Sequence, residues 1–484
     1  MSTNHASNQP PSPQLNWTSI IQLVFSALAA LFLLGVAALI AMTSSIQYFT
    51  QGSSSQELTQ SFMIAASLAF AGVLVLPSAW YAWKSLSSTK SEPLIRQEPR
   101  GFGLILTLVV LCVVPGALWL GGWVAQKNQF AWFLLPLLNI LVNGLSAFWL
   151  VYMGIRGLNP GSPKRRWGVF ASGLILSPAI ILTLELLALV GFAILTMIWL
   201  VLDSGTTTQL QSLIFRLQST TPDPDAILRI VLPFLLRPGV LFIAFTFISV
   251  IVPLLEEALK PIGVWFMAGQ KINPAEGFAL GVLCGAGFGL FENLGNTSVG
   301  GETWVILAST RITTLLLHCL TTGMVGWALA SAWSEKRYLR LGITYAFAVV
   351  VHGLWNGMAV LSAISSLEGQ VDILLPANLQ QIGDLAVVGV IILGVFNLVL
   401  FLGFNTVLRN SSYAKTALST SEGEVPGLNP SGLIPMEQGE SINQVTNSPS
   451  PLSSVETSSL PVIDGQSFSP IENPPTEPET KSWN

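Results

Sequence analysis

The sequence predicts an all-α polytopic membrane protein of about ten transmembrane helices, ending in a disordered C-terminal tail. Two observations carry that expectation. Hydrophobic residues make up 51% of the 484 and charged residues only 10%, and the mean hydropathy is +0.62, far above a soluble domain of this length. Apolar windows long enough to cross a bilayer, about 18 residues or more with few charges, also recur along most of the chain.

The windows cover 19–42, 61–83, 102–125, 130–154, 168–202, 239–268, 275–296, 304–333, 341–363 and 385–408. The first has no Lys or Arg before it and no small-residue cleavage signal, so it reads as a retained signal-anchor. The fifth spans roughly 50 Å at ~1.5 Å per residue, too long for one perpendicular crossing, and predicts a strong tilt or an extension beyond the bilayer. Between the fifth and sixth, IFRLQS and AILRIVLPFLLR read as amphipathic pieces at the interface. Trp and Phe near span ends read as interface anchors. The expected domain organisation is a disordered N-terminus (1–16), N-terminal membrane helices (17–238), a core (239–363), a last transmembrane helix with its loop (364–408) and a disordered cytoplasmic tail (409–484). The tail carries nine acidic against three basic residues and is rich in Ser, Pro and Asn, too polar to offset its ordering entropy.

Charge sets the orientation. Connections 84–100, 156–166 and 334–340 hold Lys84, Lys90, Arg96, Arg100, Arg156, Lys164, Arg165, Arg166, Lys336, Arg337 and Arg340, whereas 43–60, 297–303 and 364–384 hold neither Lys nor Arg. The positive-inside rule then puts both termini in the cytoplasm of a multi-pass plasma-membrane protein, with Arg216, Arg229 and Arg237 as exceptions on the outside. The net charge of −4 comes with no basic patch, which argues against a nucleic-acid partner. Cys112, Cys284 and Cys319 all lie in apolar stretches without paired spacing and read as packing residues.

The informative residues are polar ones inside the spans. Glu256 and Glu257 interrupt LFIAFTFISVIVPLLEEALKPIGVWFMAG, with Lys260 a turn later. Glu292 and Asn293, Arg311 and His318, and His352 and Asn356 sit in the next three spans, so two of the chain's three histidines belong to this set. Such residues are costly in hydrocarbon and usually mark a site. Counted at ~1.5 Å per residue from the cytoplasmic ends, Glu256, Glu292, His318 and His352 share one layer about 17–26 Å deep. Glu256 and Lys260, four apart, share a helix face, while Glu257 points about 100° away. Gly277, Gly281, Gly285 and Gly289 form a line that admits a neighbouring backbone, and Glu292 projects from nearly that face. Glu185, in the fifth span, reads as an interhelical hydrogen-bonding residue. Lys260 and Arg311 read equally as structural ion-pair partners.

The chemistry narrows by elimination. No His-Glu-x-x-His and no Gly-x-Ser-Gly occurs, and all six aspartates fall outside or at the edges of spans. A glutamate-based centre remains, in which a carboxylate takes a proton from water while His and Asn donors stabilise the oxyanion.

The same residues resemble a known family. Glu256-Glu257-Ala-Leu-Lys260 resembles the EExxK motif of the PrsW intramembrane proteases. Phe288-Gly-Leu-Phe-Glu292-Asn293 resembles their FxxxEN motif, and the Arg311/His318 helix and His352-Gly-Leu-Trp-Asn356 resemble their later histidine motifs. The likeness covers about 240–360. It implies kinship with the CAAX prenyl endopeptidases and with the scaffold subunit of gamma-secretase. The implied activity is membrane proteolysis of membrane-anchored proteins, anti-sigma-factor-like regulators among them, near the extracytoplasmic side. It implies that Glu256 activates water with help from Glu292 and that His352 and Asn356 hold the oxyanion; Glu257 is read with these four as catalytic, and Lys260, Asn293, Arg311 and His318 as supporting residues. Glu256, His318 and His352 also offer a donor set for Zn²⁺, while a metal-free glutamate mechanism suits the missing zinc motif equally well. Two other classes compete: a non-catalytic scaffold, and a proton-coupled transporter, for which Pro253 and Pro261 offer a helix break.

Overall fold

A computed structural model describes residues 16–52, 54–87, 101–202, 204–220, 224–365 and 377–423. Every regular element among them is helical, and ten helical segments are long and apolar enough to cross a membrane, as the windows predict. The order is α1 (Trp17–Gln51), α2 (Ser55–Ser87), α3 (Phe102–Ala125), α4 (Asn128–Ile155), α5 (Pro163–Ala171), α6 (Ser177–Leu202), α7 (Ser204–Gln218), α8 (Pro224–Leu235), α9 (Pro238–Thr246), α10 (Val252–Leu259), α11 (Ile262–Trp265), α12 (Pro274–Ser298), α13 (Trp304–Glu335), α14 (Tyr338–Ser365) and α15 (Ala377–Gly423). The predicted amphipathic pieces between the fifth and sixth spans form α7 and α8.

Two spans contain a widened π-turn. Ser172–Leu176 joins α5 to α6, and Phe247–Ile251 joins α9 to α10. Such turns insert a residue into the helix ladder and often occur at functional sites. The sixth span also breaks after α10. Pro261 has no N–H to continue the ladder, and the chain resumes as the short α11.

Helices α12 and α13 form the centre: 89% and 78% of their apolar windows are buried, against 6% for the fifth and sixth spans. The glycine line explains their approach. A methyl group on Gly277, Gly281 or Gly285 would overlap a carbonyl of α13, from Gly326, Thr322 and His318 respectively. α12 starts cleanly, with Pro274 in its first turn and Asn273 Oδ1 accepting the Glu276 N–H at 2.9 Å.

The N-terminal helices are continuous with this centre. One apolar core joins Ala30, Leu33, Ala71 and Leu150 to Phe278, Leu290, Leu315 and Leu329. A polar seam runs beside it: Ser67 Oγ and Ser298 Oγ are 2.9 Å apart, and Trp304 Nε1 donates to Asn139 Oδ1 at 3.0 Å.

Several expectations are corrected. Trp304, at a span end, is fully buried against Gly121 instead of anchoring an interface. Cys112 is exposed, while Cys284 and Cys319 are buried, and all three thiols are free. Asp384 falls inside the last span, Gln380–Ser411. α15 continues to Gly423, past the boundary expected at 408, because residues 409–423 contain no proline and enough helix formers to extend the ladder. The predicted disordered segments 1–15 and 424–484 lie outside the described residues, as do 88–100 and 366–376 of the loops. The described residues form one compact unit.

Candidate active site

Four helices deliver the polar residues to one point, the ammonium group of Lys260. α10 supplies Glu256, Glu257 and Lys260, which are 6%, 0% and 0% exposed. Lys260 Nζ lies 2.7 Å from Glu256 Oε2 and 2.9 Å from Glu257 Oε1. Glu257 therefore does not point away from the lysine. Positions three apart also neighbour each other on a helix, and the long lysine side chain bridges both carboxylates. The same ammonium donates to His318 Nδ1 at 2.8 Å and sits 3.3 Å from His352 Nδ1. The Phe288 ring covers it at 4.9 Å.

The histidines are held from both ends. His318 accepts from Lys260 at Nδ1, so Nε2 carries its hydrogen and donates it to Glu292 Oε2 at 2.8 Å. His352 Nδ1 lies 2.8 Å from Glu257 Oε1. An ionised carboxylate only accepts, so this nitrogen carries the hydrogen and Nε2 is left with a lone pair, 3.8 Å from Glu256 Oε2.

Further bonds fix Glu292. Arg311 Nη2 pairs with its Oε2 at 2.7 Å. Asn293 locks that arginine reciprocally: its Oδ1 accepts from Arg311 Nε at 2.9 Å and its Nδ2 donates to the Arg311 carbonyl at 2.8 Å. Arg311 thus pairs with a partly buried glutamate, as its position inside a span suggested. The glycine line lays α12 against α13, and Glu292 of α12 meets Arg311 and His318 of α13, on the face its spacing suggested.

Asn356 is the outlier of the predicted set. Its Nδ2 donates to the carbonyl of Ile248, in the π-turn of the sixth span, at 3.1 Å. The crossing is close because Gly353 faces the Ser249 carbonyl, which a methyl group would overlap. No contact between Asn356 and a glutamate occurs among the described residues. Two contributors escaped sequence reasoning. The Ile248 carbonyl is a backbone group and left no sequence signal. Glu185 on α6 lies against the Glu256 carboxyl, a neighbour that its sequence did not reveal.

Glu256, His318 and His352 each offer a donor atom, and the three atoms lie within 4.8 Å of one another, a set chemically suited to zinc. As arranged, these residues do not fit an ion. Lys260 Nζ sits at hydrogen-bonding distance from Glu256 and His318, in the space an ion would take, and His318 has spent both nitrogens.

Residues 186–380 match the family model of the PrsW family intramembrane metalloproteases. The match spans less than half of the chain, and all four polar motifs lie within it; the matched family is one of intramembrane proteases. No curated protein and no solved structure matches the chain.

Proposed function

We propose that this protein is an intramembrane endopeptidase that hydrolyses membrane-anchored protein substrates with a water activated by Glu256. The observation that carries this reading is the 3.8 Å gap between Glu256 Oε2 and the lone pair of His352 Nε2, two proton acceptors facing each other inside a buried centre. An ion-pair network that served only to lock helices would have no use for a histidine lone pair aimed at a buried carboxylate.

A water bonded to both atoms from one side loses a proton to Glu256 as its oxygen attacks the peptide carbonyl. Glu257 holds His352 in one tautomer. Protonated at Nε2, the ring becomes a donor to the oxyanion or to the departing amine; in its neutral form it is an acceptor. The second amide hydrogen of Asn356 supplies another oxyanion donor. Lys260 keeps Glu256 ionised and oriented, and Glu292, Arg311 and Asn293 fix His318 against that lysine.

The membrane setting fits substrates that enter from the bilayer, such as single-span regulators of the anti-sigma-factor kind. The basic connections support cytoplasmic termini in a plasma membrane. A metal-dependent reading draws on the Glu256, His318 and His352 donors and requires Lys260 to withdraw. The deciding experiment incubates the purified protein and its Glu256→Gln variant with a panel of single-span substrates. Cleavage by the parent and none by the variant supports the reading. Equal cleavage by both removes Glu256 from the mechanism.

A further inference from the structure

Glu185 stands at the same centre but one residue before the matched segment begins. Two contacts fix its register. Below it, Ser177 Oγ donates to the Leu259 carbonyl at 3.2 Å; above it, the rings of Phe192 and Phe247 meet edge to face at 5.4 Å. Helix α6 thus runs alongside the sixth span, and between these points the Glu185 carboxyl lies against that of Glu256. It also lies within electrostatic reach of Glu292 and Lys260. Its Oε1 is buried and accepts from no donor among the described residues.

A purely structural role explains this poorly. A carboxyl group in a lipid-facing helix is costly, and turning it onto another carboxyl brings no neutralising charge. Lys260 is already engaged by Glu256, Glu257 and His318, and Arg311 by Glu292. An apolar residue at 185 would hold α6 in place as well or better. What Glu185 does supply is a second point of attachment for Glu256, whose carboxylate is otherwise gripped by Lys260 alone.

We infer that Glu185 is a positioning residue of the hydrolytic centre: it bonds the Glu256 carboxyl from the α6 side and sets the direction in which that group faces the water. The inference rests on the reading of Glu256 as the water-activating group. It adds to the PrsW-type motifs a residue contributed by a helix that starts before them.

The test compares kcat, KM and melting temperature for the full-length detergent-purified protein and its Glu185→Gln and Glu185→Met variants, using single-span peptides that the parent cleaves. Glu185→Met is expected to lower kcat about 10- to 100-fold, the effect of one hydrogen bond to a charged group, with KM and melting temperature held. Glu185→Gln, whose amide still donates to Glu256, is expected to restore most of that rate. A Glu185→Met variant at parental kcat overturns the inference, and so does a Glu185→Gln variant as slow as Glu185→Met. Should the parent cleave no peptide, the protease reading fails on its own. Glu185→Met and Glu256→Ala, alone and combined, then decide the pair by melting temperature: additive shifts overturn the contact, and non-additive shifts support it.

Discussion

Glu257 Oε1 accepts the Nδ1 hydrogen of His352 across a separation of 95 residues, at 2.8 Å. This bond decides which nitrogen of His352 faces Glu256. A Glu257→Gln variant keeps the size of the side chain but can donate as well as accept, so the tautomer is no longer enforced. Its cleavage rate is expected to fall by about 10² or more, within the usual range for general acid–base groups, with the fold retained. Steady-state cleavage alongside melting in detergent checks this.

Glu256→Gln is expected to abolish cleavage with little change in melting temperature. Glutamine retains the hydrogen-bonding shape at 256 but cannot take a proton. Activity that declines only in step with melting temperature assigns the glutamates a structural role and favours the scaffold reading.

Lys260→Met removes the ammonium from between two buried carboxylates. Leaving such charges unpaired costs about 3–5 kcal/mol, so the variant is expected to melt well below the parent. The double variant Lys260→Met, Glu257→Gln should recover part of the loss, because one of the stranded charges is gone. A single variant as stable as the parent contradicts the buried network.

Metal content follows from the same lysine. The parent, purified without chelator, is expected to carry no stoichiometric zinc and to keep its cleavage in the presence of EDTA, because Lys260 fills the space between Glu256, His318 and His352. Elemental analysis showing one zinc per chain, lost together with activity, establishes the metal-dependent reading instead.

Gly285→Ala tests the helix crossing behind the site. The new methyl would overlap the His318 carbonyl, which is backbone and cannot turn aside. The expected cost is about 1–3 kcal/mol from overpacking, together with loss of cleavage as Glu292 and His318 are pushed apart. Gly295→Ala, which meets open space on the same helix, is the control and is expected to be neutral.

The sequence by itself determined the number and nearly all the limits of the spans, because a bilayer demands long apolar windows and few other structures satisfy them. It also marked Glu256, Glu257, Lys260, Glu292, Arg311, His318 and His352, since charge inside such windows is rare enough to stand out, and helical spacing put Glu292 on the glycine face. Partner choice lay beyond it. That Lys260 bridges two glutamates and a histidine, that Glu257 serves His352, that Asn356 turns to the Ile248 carbonyl and that Glu185 meets Glu256 all depend on how α6, α10, α12, α13 and α14 cross. Helical periodicity gives the face of a residue but not the neighbour opposite it. The wide turn at Phe247–Ile251 and the break at Pro261 shift the register of the sixth span locally, and close backbone packing at glycines decides the rest.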